Sequence, residues 1–167
     1  MSGPLRVRAR AAGMAAALAL LLGVLAAPPR AAAEPMAVIV HPDTPVENMT
    51  LAEVRRVFLG ERQYWNAETP VVLIVRAPVA PERTVVLDRI YRMSESQFKQ
   101  YWIARIFRAE ATSTPKVVYS NQTINELVSA IPGAISLVRA DAILPGMKVK
   151  RIKIDGLLPG EANYPLR

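Results

Sequence analysis

Arg76, Arg83 and Thr84 are the residues whose types and spacing best suit chemistry. Arg76 follows the apolar run 71-VVLIV-75, and Arg83 with Thr84 lies at the start of the next helical pattern. The C-terminal end of a buried strand is where open α/β sheets take their ligands, and the free N–H groups of a helix start attract anions. The chemistry on offer is oxyanion binding. Spacing alone leaves a second reading of the same two arginines, as solvated loop charges.

Other chemistry finds little support. The single histidine, His41, stands between a strand-like run and Pro42; without cysteine or a paired ligand spacing it reads as structural or exposed rather than as a metal ligand. The sequence contains no Gly-x-Ser-x-Gly, no glycine-rich phosphate loop and no dinucleotide fingerprint. Its acids are scattered as solvated helix charges are, so no general acid or base stands out, and neither enzyme activity nor a cofactor or metal is expected. Ser120 to Thr123 is a polar helix entry that capping explains. Lys148, Lys150, Arg151 and Lys153 suit an edge strand guarded against sheet pairing. Trp65 and Trp102, each beside a tyrosine, read as packed core.

Charge depends on where the working chain begins. Arg6, Arg8 and Arg10 precede the uninterrupted apolar run 11-AAGMAAALALLLGVLAA-27, and 31-AAA-33 offers small residues for a peptidase. Residues 1–33 are therefore expected to be a cleaved secretory signal, placing the remainder in the periplasm or outside the cell. The run has 17 residues where a span needs about 20, so no membrane anchor is expected to remain after cleavage. Removing residues 1–33 takes away four arginines and no acid, leaving 17 bases against 14 acids. So mild an excess argues against nucleic acid as a partner. With no cysteine, disulfides and thiol chemistry are excluded, and one apolar core must hold residues 34–167 together.

The elements that must position these residues alternate between β-branched runs and helical periodicity, the mark of an α/β domain. Ala37 to Val40 reads as a first strand. Thr50 to Phe58 reads as a helix with a Thr50/Glu53 capping box, and Gly60 falls where a left-handed C-terminal cap is commonest. Val71 to Val75 is the next strand, followed by a helix from about Pro81 to Tyr91. A second capping box, Ser94 with Gln97, opens a helix to about Phe107 whose apolar stripe is Phe98, Tyr101, Trp102 and Ile106. Val117 to Tyr119 reads as a short strand; Asn121 or Thr123 then caps a helix to about Ala130. Ala134 to Val138 and Met147 to Ile154 complete the strands.

Several stretches together resemble a known family. The segment 45-PVENMTLAEVRRVFLGERQYWN-66 resembles the part of the phosphate-binding proteins of ABC transporters in which Asn-Pro-Val, a Leu-Ser or Leu-Thr helix start, Ile-Phe-x-Gly and a tryptophan follow in order. Likewise 132-PGAISLV-138 resembles their Pro-Gly-Ala-Ile-Gly-Tyr-Val, and 164-YPLR-167 their Tyr-Pro-Leu-x-Arg. The resemblance implies a type II periplasmic binding protein-like α/β fold, with a mixed, mostly parallel sheet flanked by helices. It covers a single lobe of the family's two. In the family an arginine after the strand and a Ser-Gly-Thr at the helix start grip phosphate; Arg76 matches the arginine and Thr84 the threonine, while 77-APVAPE-82 stands where Ser-Gly is expected.

The resemblance implies a substrate-binding-protein-like domain for phosphate or a related oxyanion at Arg76, Arg83 and Thr84, linked to a membrane ABC transporter. The rival expectation is a structural module that has lost its ligand and presents the same face to a periplasmic protein, through an exposed apolar patch.

Overall fold

The computed structural model describes residues 34–167. The expected signal segment, 1–33, lies outside the described residues. Met36–Val40 forms β1 with every side chain buried, as a run of β-branched and apolar residues does when a sheet is covered on both faces. The other strands are β2 (Asn48–Met49), β3 (Val72–Arg76), β4 (Lys116–Val118), β5 (Ala134–Arg139), β6 (Lys150–Arg151) and β7 (Lys153–Ile154).

The main sheet has the order β4-β3-β5-β1-β6. β3 pairs in parallel with both β4 and β5, whereas β1 runs antiparallel to β5 and to β6. Four strands thus point one way and β1 opposes them. The expected mixed, mostly parallel sheet flanked by helices is the observed one. The consequence for function is geometric: the C-terminal ends of β3, β4 and β5 share one edge, and the chain leaves each of them toward a helix.

Helices α1 (Leu51–Phe58), α2 (Pro81–Val85), α3 (Glu95–Phe107) and α4 (Asn121–Ala130) cover the sheet. Both expected capping boxes form: Thr50 with Glu53 opens α1, and Ser94 with Gln97 opens α3. Gly60 follows α1 at φ +71°, the left-handed cap conformation, and a Cβ there would lie 2.9 Å from Cη2 of Trp102. On one sheet face Val38, Val40, Leu73, Val75, Ile135 and Leu137 pack with Phe58, Ile90, Phe98 and Trp102. On the other, Ala37, Ile39, Ile74 and Val138 meet Ile124 and Val128 of α4. Each large aliphatic so buried contributes about 1.5–3 kcal/mol. Tyr164 and Leu166 are buried too, and Met36 N–H donates to Leu166 O at 2.9 Å, which ties residues 164–167 to β1. No helix among the described residues is long and apolar enough to cross a membrane.

The structure differs from expectation in particular places. The single helix expected over 81–91 is α-helical only to Val85; Val86–Tyr91 widens into π-helical turns and ends at Arg92 in a left-handed conformation. Ile106 is not part of a buried stripe: it lies at the surface with Ile103 and Phe107, while Phe98 and Trp102 face the core. The cap of α4 is Ser120, whose Oγ accepts from Thr123 N–H at 3.0 Å, rather than Asn121 or Thr123. The expected strand 147–154 is two short strands, because the chain leaves β6 beside β1 and crosses at Ile152 to pair β7 with β2. Two-residue strands such as β2 carry no periodicity and were not foreseen.

Candidate functional site

β3 ends at Arg76, and the chain turns back through 77–80 into α2. Ala77 N–H donates to Val118 O at 2.8 Å, which fastens this loop to the end of β4. The Arg76 side chain lies along that edge and is 14 % exposed, with Nε 3.6 Å from Oε2 of Glu82. That distance is too long for a hydrogen bond. Arg76 Nε and Nη1 are both buried without an acceptor.

Glu82, one residue into α2 after Pro81, is 1 % exposed and is the most deeply buried acid among the described residues. Its Oε1 accepts from Asn121 Nδ2 at 2.8 Å, across the gap between the starts of α2 and α4. Its Oε2 has no donor, and neither has Asn121 Oδ1. Asn125, one turn on, donates to Asn121 O at 2.8 Å and to Ala142 O at 3.0 Å, fixing the first turn of α4 against the segment after β5. Arg139, at the end of β5, is near enough to feel Glu82, yet its guanidinium is held by Asp141 and Glu34, and the hydrogen bond it donates to Asp141 is the chief cause that raises its pKa. The edge therefore gathers two arginines with three carboxylates, and it is not a simple positive trap.

Arg83 faces the other way. Its Nε and Nη2 donate to the two carboxylate oxygens of Glu95, both at 2.9 Å, and its guanidinium carbon sits 3.9 Å from the centroid of the Phe98 ring. With 3 % exposure it welds α2 to the start of α3. Neither arginine is a solvated loop charge. Thr84 is exposed on α2, its N–H bonded to Ala80 O at 3.1 Å. Arg76 and Arg83 thus flank Glu82 in sequence but point into different surroundings.

The loop between Arg76 and Glu82 carries its own signature. Ala80 N–H closes a turn on Ala77 O, with Pro78 and Val79 at its corners, and Val79 has φ +68°. A β-branched residue in that region is a genuine outlier, and such strain concentrates at ligand clamps and switch regions. The Val79 side chain is 100 % exposed, and Tyr119, at the end of β4 on the same edge, is 83 % exposed.

The remaining candidates have structural places. His41 is buried and accepts from Asp43 N–H at Nδ1. Trp65 is buried, its indole N–H donating to Gly133 O at 2.8 Å. Lys150 bonds Glu47 at 2.9 Å beside the edge strand β6. Among the described residues no three acidic or histidine side chains converge as a metal site would require.

Solved structures with this fold are known. The chain is similar to a phosphate ABC transporter substrate-binding protein with bound phosphate from Clostridium perfringens (18% identity, TM-score 0.59), covering 75% of this chain and 47% of that one. It is similar to an ABC-type phosphate transport receptor from Vibrio cholerae (17% identity, TM-score 0.60; 75% and 48% covered). It is also similar to PstS from Borrelia burgdorferi (15% identity, TM-score 0.62; 80% and 54% covered). The fold is that of one periplasmic binding protein-like lobe. The chain spans about half the length of the structures it matches. No family model matches it, and no curated protein matches it in sequence.

Sequence reasoning missed Glu82 and undervalued Asn121. An acid behind a helix-opening proline reads as a first-turn residue favoured by the helix dipole and open to water. The asparagine had a sufficient explanation as a cap. The one local signal was that 77-APVAPE-82 puts a carboxylate where the resemblance leads one to expect small residues.

Proposed function

We propose that this chain is an exported ligand-binding lobe that takes phosphate, or a related oxyanion bearing a proton, at Arg76, Glu82 and Asn121. The observation that carries the reading is the unmet hydrogen bonding of the cluster, with two buried donors on Arg76 and buried acceptors on Glu82 and Asn121. Buried polar groups in native proteins are nearly always paired, so such a cluster calls for a guest. Phosphate carries acceptor oxygens for Arg76 and a P–OH to donate to Glu82. Sulfate carries acceptors only and is repelled by the Glu82 carboxylate. Thr84, exposed on the first turns of α2, is a further hydroxyl for the ligand, and Arg83 supports the site by holding α2 in place. The likeness to phosphate receptors supports the same reading, as does the sequence-based expectation of export to the periplasm; delivery to a membrane ABC transporter belongs to the proposal.

Three carboxylates along the edge keep the affinity low, with a dissociation constant of about 1 mM, some 4 kcal/mol. The test is calorimetric titration at low salt with phosphate and then sulfate on the wild type, Arg76→Ala and Glu82→Gln. Phosphate heat lost in Arg76→Ala, and sulfate binding gained in Glu82→Gln, is the expected pattern. Silence with both anions in all three proteins removes the proposal.

A second reading is favoured by one observation: Val79, in the turn between Arg76 and Glu82, and Tyr119, just after β4, stand fully or almost fully exposed. As an interaction module the chain uses this face for a protein, with Glu82 serving Arg76 as a built-in counter-anion. Anion silence together with loss of partner capture in a Val79→Ser/Tyr119→Ser variant is the result expected on that reading.

A further inference from the structure

At the opposite end of β3 from Arg76, about 13 Å along the strand, lies a cavity of about 210 Å3 that the oxyanion reading leaves unused. Its floor is Trp102. The indole nitrogen of Trp102 is buried and has no protein acceptor, while the far edge of its six-membered ring meets Gly60. The buried side chains of Val57 and Leu73 form the apolar walls. Gly60 keeps the space open, since any side chain there would press on the Trp102 ring.

The rim is different in character. Arg62 and Lys116 belong to the lining and no carboxylate does. Arg62 spends Nε on Tyr64 O and Nη2 on Trp65 O, each at 3.2 Å, which leaves Nη1 without a protein acceptor. Residues 112–114, Thr-Ser-Thr, form the facing lip, are exposed, and donate no backbone hydrogen bond within the described residues. An apolar ring-bearing floor beneath a cationic, donor-rich lip selects an amphipathic anion.

Volume narrows the class. A dry cavity of about 150 Å3 takes benzene, and sites for drug-sized molecules run from about 300 Å3 upward. Between them falls one ring with one small charged group. We infer that this cavity binds a small apolar carboxylic acid of benzoate size, its ring on Trp102 and Leu73 and its carboxylate at Arg62, Lys116 and the 112–114 lip. The site is independent of the oxyanion proposal.

The chain has two tryptophans, Trp102 in the cavity lining and Trp65 with its ring 5.1 Å from the Arg62 guanidinium, so a ligand-dependent change in emission reports this cavity. The full chain is titrated with benzoate, with benzyl alcohol as the neutral isostere, and with benzoate in the presence of inorganic phosphate. Saturable benzoate binding is expected, with benzyl alcohol weaker by about tenfold and phosphate leaving the curve unmoved. Ala111→Leu, which fills the cavity from a half-buried position, is expected to abolish binding; Lys116→Glu, on an exposed residue, is expected to weaken it by about tenfold without touching the core. Unsaturated benzoate curves, equal binding of benzyl alcohol, or displacement by phosphate each overturn the inference.

Discussion

Arg76 and Glu82 stand 3.6 Å apart at the edge of the sheet, close enough to attract and too far to share a proton-bearing contact. Glu82 is almost wholly buried and satisfies one carboxylate oxygen on Asn121 alone. Arg76→Met leaves that carboxylate without its cation and is expected to cost about 2 kcal/mol, below the usual range for breaking a buried pair because the contact is long. Arg76→Met/Glu82→Met is expected to be the more stable of the two variants. Urea unfolding of both measures the difference, and equal stabilities would mean that Glu82 does not depend on Arg76.

Arg83 presents the opposite case, with a bidentate carboxylate partner, an aromatic face beneath it and almost no solvent. Losing it removes two charge-assisted hydrogen bonds and a stacking surface. Arg83→Met is expected to destabilise by about 2–4 kcal/mol, and Arg83→Lys to recover less than half of that, since an ammonium cannot make the planar fork. The phosphate heat of Arg83→Lys is expected to match wild type, which calorimetry checks and which separates a supporting arginine from a contacting one.

How far these roles could be read in advance depended on range. α1 and α3 declared themselves because a capping box is written within four residues, and Gly60 because a left-handed cap follows a helix end. Arg76 was legible as the residue after a buried strand. Its partner was not, because whether Glu82 is solvated or buried is decided by Asn121, 39 residues on, and by β4 lying beside β3. The same holds for Arg83, whose orientation is set by Glu95 and Phe98 on another helix. β2 and its pairing with β7 escaped because a two-residue pairing across about a hundred residues leaves no local pattern.

The Thr50/Glu53 box carries a pH dependence whose sign is fixed. Thr50 N–H and its hydroxyl donate to Glu53 Oε2 at 2.7 and 2.9 Å, and the backbone bond is the chief cause that lowers the Glu53 pKa. The folded pKa lies below the unfolded value of about 4.3, so the contribution is complete above that value and is lost as pH falls through the folded one. Glu53→Gln keeps an acceptor and removes the titration. Its urea midpoint is expected to drop less than that of wild type between pH 6 and pH 3, and parallel curves would refute the assignment.

Val79 offers a test of stored strain. It sits third in the turn 77–80 at φ +68°, where glycine is the usual occupant, and its side chain touches only solvent. The left-handed conformation costs an ordinary residue about 1–2 kcal/mol, and glycine returns part of this through its looser unfolded chain. Val79→Gly is therefore expected to stabilise the protein by about 0.5–1 kcal/mol, read as a raised urea midpoint with unchanged slope. The same variant also bears on function, because the turn carries the chain from Arg76 to Glu82. If the strained valine holds those two groups in their unmated geometry, Val79→Gly will weaken phosphate binding while it strengthens the fold. Unchanged binding beside greater stability would instead show that the strained backbone at Val79 plays no part in holding the ligand site.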